Sequence, residues 1–307
     1  MSAQANVALD KRKAHLDAVA VASLLLCCAL WGLNQVAAKI ALADIPPLTQ
    51  AAARSLGAAL LVLAWSRWRG IALAARDGTL VGGLAAGILF AAEFACIFVG
   101  LQFTSASRMV VFIYLSPFVV ALGMPFVARG ERLRPLQWFG LGTAFAGVAW
   151  AFAEGFAASA NATTRQWLGD ALGVAAALLW SATTLVIRAS ALASAPAEKT
   201  LLYQLAVSGL LLALLAKLAG ESWPSQVGPL ALSSLAFQTV VITFFSYLLW
   251  FWLVRHYPAT RIAAFTLMTP VAGLLAGIGL LGEPLTLRLL VAVATVALGM
   301  VLINRRW

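Results

Sequence analysis

Charged side chains are scarce in this sequence: they make up 10% of the 307 residues, whereas 63% are hydrophobic. Soluble domains usually carry about 25% charged residues. A chain this apolar could not cover a water-facing surface, so lipid is its expected solvent. The 11 Trp residues agree with this interpretation, because Trp favours the membrane–water interface.

Cysteine and histidine are also rare. Cys27, Cys28 and Cys96 all fall in apolar runs and lack the spacing of a metal site, a redox motif or a disulfide framework. His15 and His256 have no further ligands at metal spacing, and no Ser/His/Asp grouping is present. The sequence therefore predicts no cofactor and no metal. It also argues against a membrane-embedded enzyme, which needs clustered catalytic side chains at an interface.

Long apolar runs dominate what is present. A spanning helix needs about 20 mostly apolar residues, and short connections containing Pro or Gly separate the candidates. The predicted spans are ten: 18–38, 48–66, 79–101, 105–127, 135–153, 169–188, 199–218, 229–253, 258–280 and 285–303.

Basic residues give the chain a net charge of +10, but they form short clusters between the apolar runs rather than one patch. This distribution argues against nucleic-acid binding and follows the positive-inside rule. Most of them fall at the two termini and in the even-numbered loops: Lys11, Arg12, Lys13, Arg67, Arg69, Arg76, Arg129, Arg132, Arg134, Arg188, Lys199, Arg255, Arg261, Arg305 and Arg306. Both termini are therefore predicted to be cytoplasmic. No cleavable signal peptide is evident ahead of the first apolar run.

An internal repeat relates the two halves of the chain. Matched residues keep a nearly fixed offset: Leu30-Trp31 with Leu179-Trp180, Pro47 with Pro196, Ser107-Arg108 with Thr260-Arg261, Phe112 with Phe265, Ser116-Pro117 with Thr269-Pro270, and Gly130-Glu131 with Gly282-Glu283. A repeat of five spans must enter the membrane twice in opposite orientations, a hallmark of secondary transporters. The predicted organisation is an N-terminal tail at 1–17, repeats at 18–153 and 169–303, a connection at 154–168 and a C-terminal tail at 304–307.

These motifs also carry a family resemblance over residues 18–303. The chain resembles the drug/metabolite transporter superfamily in its EamA-type ten-span family, through Trp31-Gly32, Lys39, Arg54, Tyr114 to Pro117, Gly130-Glu131, Gly147, Trp180, Pro270, Gly282-Glu283-Pro284 and Gly299. Within that family it is most similar to the amino-acid exporters, including those for aromatic amino acids. Ser116 stands where their Tyr-Leu-Trp-Pro pattern has Trp. The resemblance implies an all-α basket of helices around a central cavity, without ATP hydrolysis.

Arg54 and Glu93 are ionisable groups inside predicted spans, where charge is costly and is a functional candidate by default. Counting along the helices places both in the outer half of the membrane. One hypothesis makes them an outer gate or a charged wall of the cavity, and the other a structural pair that neutralises two buried charges. The second half lacks the pair, because Ser246 and Gln204 stand near the equivalent places.

Prolines and aromatic residues complete the candidate site. Pro117 and Pro270 are predicted to lie mid-helix and to kink the fourth and ninth spans, either for gating or as plain helix geometry. The proposed substrate-binding set also contains Trp31, Asn34, Tyr114, Trp180 and Tyr203, which would line a cavity or simply pack. Asn34 and Gln238 are equally explained as hydrogen bonds between helices.

The function predicted from these observations is secondary transport: export of amino acids or similar metabolites by alternating access. Multidrug, nucleobase or other metabolite carriers of the same fold, or a passive channel, are the alternatives. The expected partners are a small-molecule substrate and the lipid bilayer, without nucleic acid or an obligate protein partner. The short loops suit a bacterial inner membrane, an assignment that the resemblance implies.

Overall fold

The computed structural model describes residues 15–100, 103–104, 106–128, 132–151, 165–272 and 287–304, and every regular element within them is helical. The helices are α1 Ala18–Leu42, α2 Pro47–Trp68, α3 Thr79–Gly100, α4 Ala106–Ile113, α5 Ser116–Val127, α6 Pro135–Ala151, α7 Gln166–Ala189, α8 Ala197–Leu218, α9 Pro229–His256, α10 Ala259–Phe265 and α11 Leu287–Asn304. Within α9, the stretch Gln238–Ser246 is π-helical.

Five of these helices are long and apolar enough to cross a membrane: α2, α3, α7, α8 and α9. Shorter apolar helical stretches lie at Ala18–Asn34, Val111–Val127 and Ala294–Ile303. The all-helical membrane architecture is thereby confirmed, while the count of ten spans stays a prediction. The motifs Gly130-Glu131 and Gly282-Glu283, most of the predicted connection and both chain ends lie outside the described residues.

Large apolar side chains are exposed along the helices. Leu60 on α2, Val81 on α3 and Phe126 on α5 have exposed fractions of 67%, 79% and 91%. Buried polar side chains meanwhile occur in the interior, as in Gln50, Arg54 and Gln204. A molecule with apolar residues outside and polar residues inside suits a hydrocarbon surrounding.

The described chain forms two compact units. The first contains Leu33–Ala95 and Ala182–His256, and the second contains the remaining described residues. In the first unit, α2 and α8 pack along each other. The backbone amide and hydroxyl of Thr49, near the start of α2, donate to Glu221 just beyond α8.

The opposite ends of α2 and α8 are joined in the same manner. Lys199, near the start of α8, donates to both oxygens of Asp77 and to the Ala75 carbonyl, all beyond the end of α2. Since the start of each helix contacts the residues that follow the other, α2 and α8 are antiparallel.

The two helices also begin and end alike, at an offset of 150 residues. Pro46 and Pro196 cap their N-termini with φ near −57° and −55°, so the predicted match of Pro47 with Pro196 is wrong by one residue. Their C-termini close on Gly70 and Gly220, whose φ values of 65° and 76° suit glycine. The next residue donates back in each case, Ile71 to Ser66 and Glu221 to Ala216, which completes the same helix-ending motif.

In the second unit, α6 and α11 are likewise packed antiparallel. The Gln137 side chain, near the start of α6, donates to the carbonyl of Ile303, near the end of α11. A Cβ added at Gly140 would come within 2.8 Å of the Gly299 carbonyl oxygen, so these two backbones touch. Only glycine permits this separation.

Small residues also set the distance between α3 and α8. A Cβ at Gly83 would lie 2.4 Å from the Tyr203 ring, and one at Gly87 would lie 2.5 Å from Val207. These glycines therefore serve packing, which is how small residues act between membrane helices.

Candidate functional site

Arg54 and Glu93 lie at similar depth in the first unit. Arg54 is the eighth residue of α2, and Glu93 is the eighth residue from the end of α3. Successive spanning helices run in opposite directions, so both lie roughly 10 Å from the same side of the membrane at 1.5 Å per residue. Both side chains are buried, with exposed fractions of 3% and 6%.

Aromatic rings surround this charged position. The guanidinium carbon of Arg54 lies 4.3 Å from the centroid of the Phe94 ring. Phe90 makes edge contacts with both Phe94 and Tyr247, at centroid separations of 4.8 Å and 6.1 Å. Tyr247 also interacts electrostatically and by hydrogen bonding with Arg54. The cation therefore rests on an aromatic face in a low-dielectric setting, where cation–π attraction is strongest.

Arg54 and Glu93 are close enough to interact electrostatically, but no ion pair within 4.0 Å joins these two described side chains. The Nε atom of Arg54 and the Oε2 atom of Glu93 are each buried without a hydrogen-bond partner. A structural pair that neutralised both charges would be expected to make direct, hydrogen-bonded contact. The observed geometry is that of two opposite charges held near one another and incompletely satisfied.

The equivalent positions in the second half carry no charge. Ser246 donates to the Ile242 carbonyl and Gln204 donates to the Thr200 carbonyl, so each bonds within its own helix. Both side chains are fully buried. The charged position is therefore a property of one half of the chain only.

Pro117 lies at an interruption of a helix rather than at a kink in the middle of one. α4 ends at Ile113, a turn occupies Tyr114 and Leu115, and α5 starts at Ser116 with Pro117 in its first turn. Proline lacks an N–H group, and its ring clashes with the carbonyl four residues earlier. That carbonyl belongs to Ile113, the last residue of α4, so the position of the break follows from the proline.

A similar interruption precedes Pro270. Helix α10 ends at Phe265, a turn occupies Thr266 and Leu267, and helical structure resumes over 268–272. The carbonyl four residues before Pro270 is that of Thr266, the first residue of the turn. The predicted mid-helix placement of both prolines is thus replaced by two broken helices, each interrupted by a two-residue turn shortly before its proline.

Tyr114, at the first break, packs against Trp180 with ring centroids 6.1 Å apart and planes at 74°. Beside them, the Ser181 hydroxyl contacts the Ser116 hydroxyl at 3.0 Å and the Ser116 carbonyl at 3.1 Å. Tyr114 and Trp180, both from the predicted substrate-binding set, are therefore brought together in the second unit. Ser116, which replaces a bulky Trp, makes a polar contact to α7 there.

The other members of the predicted set lie apart from this contact. Trp31 lies half-buried on α1 in the second unit. Asn34, on the same helix but in the first unit, has a buried side-chain oxygen without a hydrogen-bond partner. Tyr203 packs on Gly83, and its hydroxyl lies 3.4 Å from that of Thr79, which fits a packing role at the start of α3.

Two buried amides of the first unit, those of Gln50 and Gln204, were not among the predicted site residues. Gln50 donates to Gln238 at 2.9 Å, which links α2 to the π-helical stretch of α9, while the Gln50 oxygen stays without a partner. Gln204 also has a buried oxygen without a partner. A Gln within an apolar run is the signal that could have identified them.

Comparison with known proteins agrees with this architecture. The chain is 28% identical over 269 residues to a Salmonella typhimurium protein named a probable amino-acid metabolite efflux pump, covering 85% of this chain and 87% of that protein. It is 25% identical over 278 residues to the uncharacterized transporter YvbV of Bacillus subtilis, covering 90% and 88% of the two chains.

A solved crystal structure is similar to this chain with a TM-score of 0.79 at 19% identity, covering 93% of this chain and 96% of the other. That likeness concerns the fold alone. The EamA-like transporter family matches the sequence twice, at residues 18–153 and 167–305. Since these two matches cover nearly the whole chain, it belongs to the EamA-like transporter family.

Proposed function

We propose that the chain is a secondary transporter that exports small metabolites, with amino acids bearing aromatic or other apolar side chains as the favoured class. Family membership supports transport, and the printed name of the Salmonella typhimurium relative supports the amino-acid class. The sequence has no nucleotide-binding loop, so the driving force is a gradient of the substrate or of an ion.

The main support for this mechanism is the antiparallel packing of helices that correspond between the two halves. α2 and α8, and separately α6 and α11, are antiparallel partners whose sequences correspond between the two halves. This supports ten spans in two inverted five-helix repeats, at 18–153 and 169–303. Two half-structures of opposite orientation can exchange conformations, which opens a central site first to one side and then to the other.

The breaks at Pro117 and Pro270 support the same mechanism. A helix interrupted at membrane depth exposes backbone groups that need protein or water as partners. In this proposal the two broken helices are the bending elements. Trp31, Tyr114 and Trp180 line the substrate path in the second unit, and Asn34 and Glu93 do so in the first. The distribution of basic residues supports a cytoplasmic location of both termini. The short loops and the family support a bacterial inner membrane.

Counterflow in proteoliposomes tests the transport proposal. Vesicles containing the purified full-length protein are preloaded with an unlabelled compound, and accumulation of the same labelled compound is measured across amino acids, drugs and nucleobases. Saturable accumulation that requires the internal compound is the expected result for an amino acid. No exchange of any compound would refute the carrier, and flux that is not stimulated by exchange would support a passive facilitator instead.

A further inference from the structure

Two buried ionisable side chains of the first unit, one basic and one acidic, remain incompletely satisfied. Arg54 and Glu93 are more than nine-tenths buried, yet Arg54 Nε and Glu93 Oε2 have no hydrogen-bond partner. Burying a charge is costly unless hydrogen bonds and an opposite charge compensate it. Functional sites are the usual places where such a cost persists in a membrane interior.

The Nε atom of Arg54 is a buried hydrogen-bond donor without a partner, while Tyr247 interacts with the same guanidinium. Phe94 lies against the guanidinium carbon, so the ring covers one flat side of the group. The N–H donors of a guanidinium point outward in its own plane and match the two oxygens of a carboxylate. Because Nε is among the unsatisfied donors, Arg54 can receive a carboxylate while it remains stacked on Phe94.

Glu93 lies at the same depth and needs a hydrogen-bond donor rather than an acceptor. Its unsatisfied carboxylate oxygen can accept from an ammonium group. The rings of Phe90, Phe94 and Tyr247 border the charged pair and give an apolar neighbourhood. A ligand that satisfies all three features has a negative end, an adjacent positive end and an apolar side chain.

Resting on the proposed function, we propose that Arg54 and Glu93 together bind the zwitterionic head of an amino acid, with Arg54 receiving its carboxylate and Glu93 its ammonium. We call these two residues the zwitterion clamp. An aromatic or large aliphatic side chain then packs on the Phe90, Phe94 and Tyr247 rings. A ligand that carries only one of the two charges leaves one buried protein charge unsatisfied and is rejected.

Three compounds of similar shape test the two ligand charges one at a time. Phenylalanine carries both charges, phenethylamine lacks the carboxylate, and 3-phenylpropionate lacks the ammonium. Wild-type protein in proteoliposomes is expected to exchange phenylalanine and to discriminate against both analogues by roughly tenfold or more. Glu93→Gln is expected to lose most of the preference over 3-phenylpropionate, and Arg54→Gln most of the preference over phenethylamine. Ser246→Ala, at the position that corresponds to Glu93, is the matched control and keeps the wild-type order.

A binding measurement separates failure of the clamp from failure of transport. Thermal unfolding of the detergent-solubilised protein is followed with each probe, because a ligand that binds the folded state raises the unfolding temperature. Stabilisation by phenylalanine alone supports the clamp even if no exchange occurs. Equal stabilisation by all three probes overturns the clamp. An equal loss of stabilisation by all three probes in both Gln variants also overturns it.

Arg54→Lys and Glu93→Asp keep the proposal testable if a Gln variant does not fold. Both variants preserve the charge. Lysine replaces the forked guanidinium with a single ammonium, and aspartate shortens the side chain. Each is expected to weaken phenylalanine exchange while keeping the order of the three probes. If the wild type exchanges amino acids and all four variants keep its affinity, the transport proposal stands and the clamp is wrong.

Discussion

At the scale of single residues, polar groups inside the two units differ in how completely they are satisfied. Asp77 accepts from Lys199, from the Thr79 hydroxyl and from the Thr79 amide, so its carboxylate is fully engaged. Glu93, Arg54 and Gln204 each keep a buried atom without a partner. The exposed Asp77 carboxylate is therefore satisfied by its neighbours, whereas these three buried side chains are satisfied only in part.

The Asp77–Lys199 pair predicts an acid-sensitive stability. The hydrogen bonds from Lys199 and Thr79 lower the pKa of Asp77 from 3.8 to about 2. A carboxylate with a lowered folded pKa stabilises the folded state above its unfolded pKa and loses this contribution as the pH falls through its folded pKa. We expect wild-type protein to lose stability between pH 4 and pH 2 that Asp77→Asn does not lose, measured by thermal unfolding in detergent.

The double variant Asp77→Asn with Lys199→Met controls for the lysine left buried by the single change. Lys199 has an exposed fraction of 2%, so removing only its partner leaves a buried ammonium that still donates to the Ala75 carbonyl. We expect Asp77→Asn to be less stable at pH 7 than the double variant. Equal acid sensitivity of wild type and Asp77→Asn would contradict the assignment to this pair.

At the scale of elements, two helices are broken shortly before a proline and one contains a π-helical stretch. The π-helical stretch Gln238–Ser246 is followed directly by Tyr247, beside the zwitterion clamp. π-Helical turns are uncommon and concentrate at functional sites. These irregular elements are where the chain departs from simple spanning helices.

Pro117→Ala is expected to close the first break. The new amide at position 117 can donate to the Ile113 carbonyl, and the ring clash disappears. One added hydrogen bond is worth about 1 kcal/mol, so amide exchange over 114–118 should slow by roughly fivefold or more. Hydrogen–deuterium exchange followed by mass spectrometry gives the measurement, and counterflow shows whether transport slows with it.

Pro125→Ala is the matched control, since Pro125 lies inside α5, where the helix continues. It should leave exchange at residues 114–118 unchanged. If Pro117→Ala also leaves it unchanged, packing of Tyr114 rather than the proline holds the break open.

At the scale of the whole molecule, repeat-related helices are paired in opposite directions. The proposed inversion requires the ends of α2 and α8 to emerge on opposite sides of the membrane. Arg69 and Ala219, the exposed residues that follow these two ends at the 150-residue offset, are suitable reporters.

Single Arg69→Cys and Ala219→Cys variants test this inversion in intact cells with a membrane-impermeant maleimide. Position 219 is expected to react from outside, and position 69 only after the membrane is opened. The protein without an added cysteine is the blank, because Cys27 and Cys28 are buried and Cys96 is partly buried. Reaction of both positions from the same side would contradict the inverted repeat.

The sequence by itself determined the membrane class, the family and the location of the main helices. Scarce charge and long apolar runs leave a chain no stable form except helices in lipid, and the predicted span 48–66 lies within the observed 47–68. It also identified Arg54 and Glu93, because an ionisable residue stands out in an apolar run whatever its partners are.

The tertiary structure alone decided how those residues are used. No pattern along the chain could show that Arg54 stacks on Phe94 while one atom of Glu93 stays unsatisfied, since these contacts join different helices. Nor could it show that Pro117 ends a helix rather than bending one, because a proline is compatible with both outcomes. The pattern of apolar residues along the chain determines which residues are helical. Packing between segments that are distant in sequence determines which polar atoms lack a protein partner.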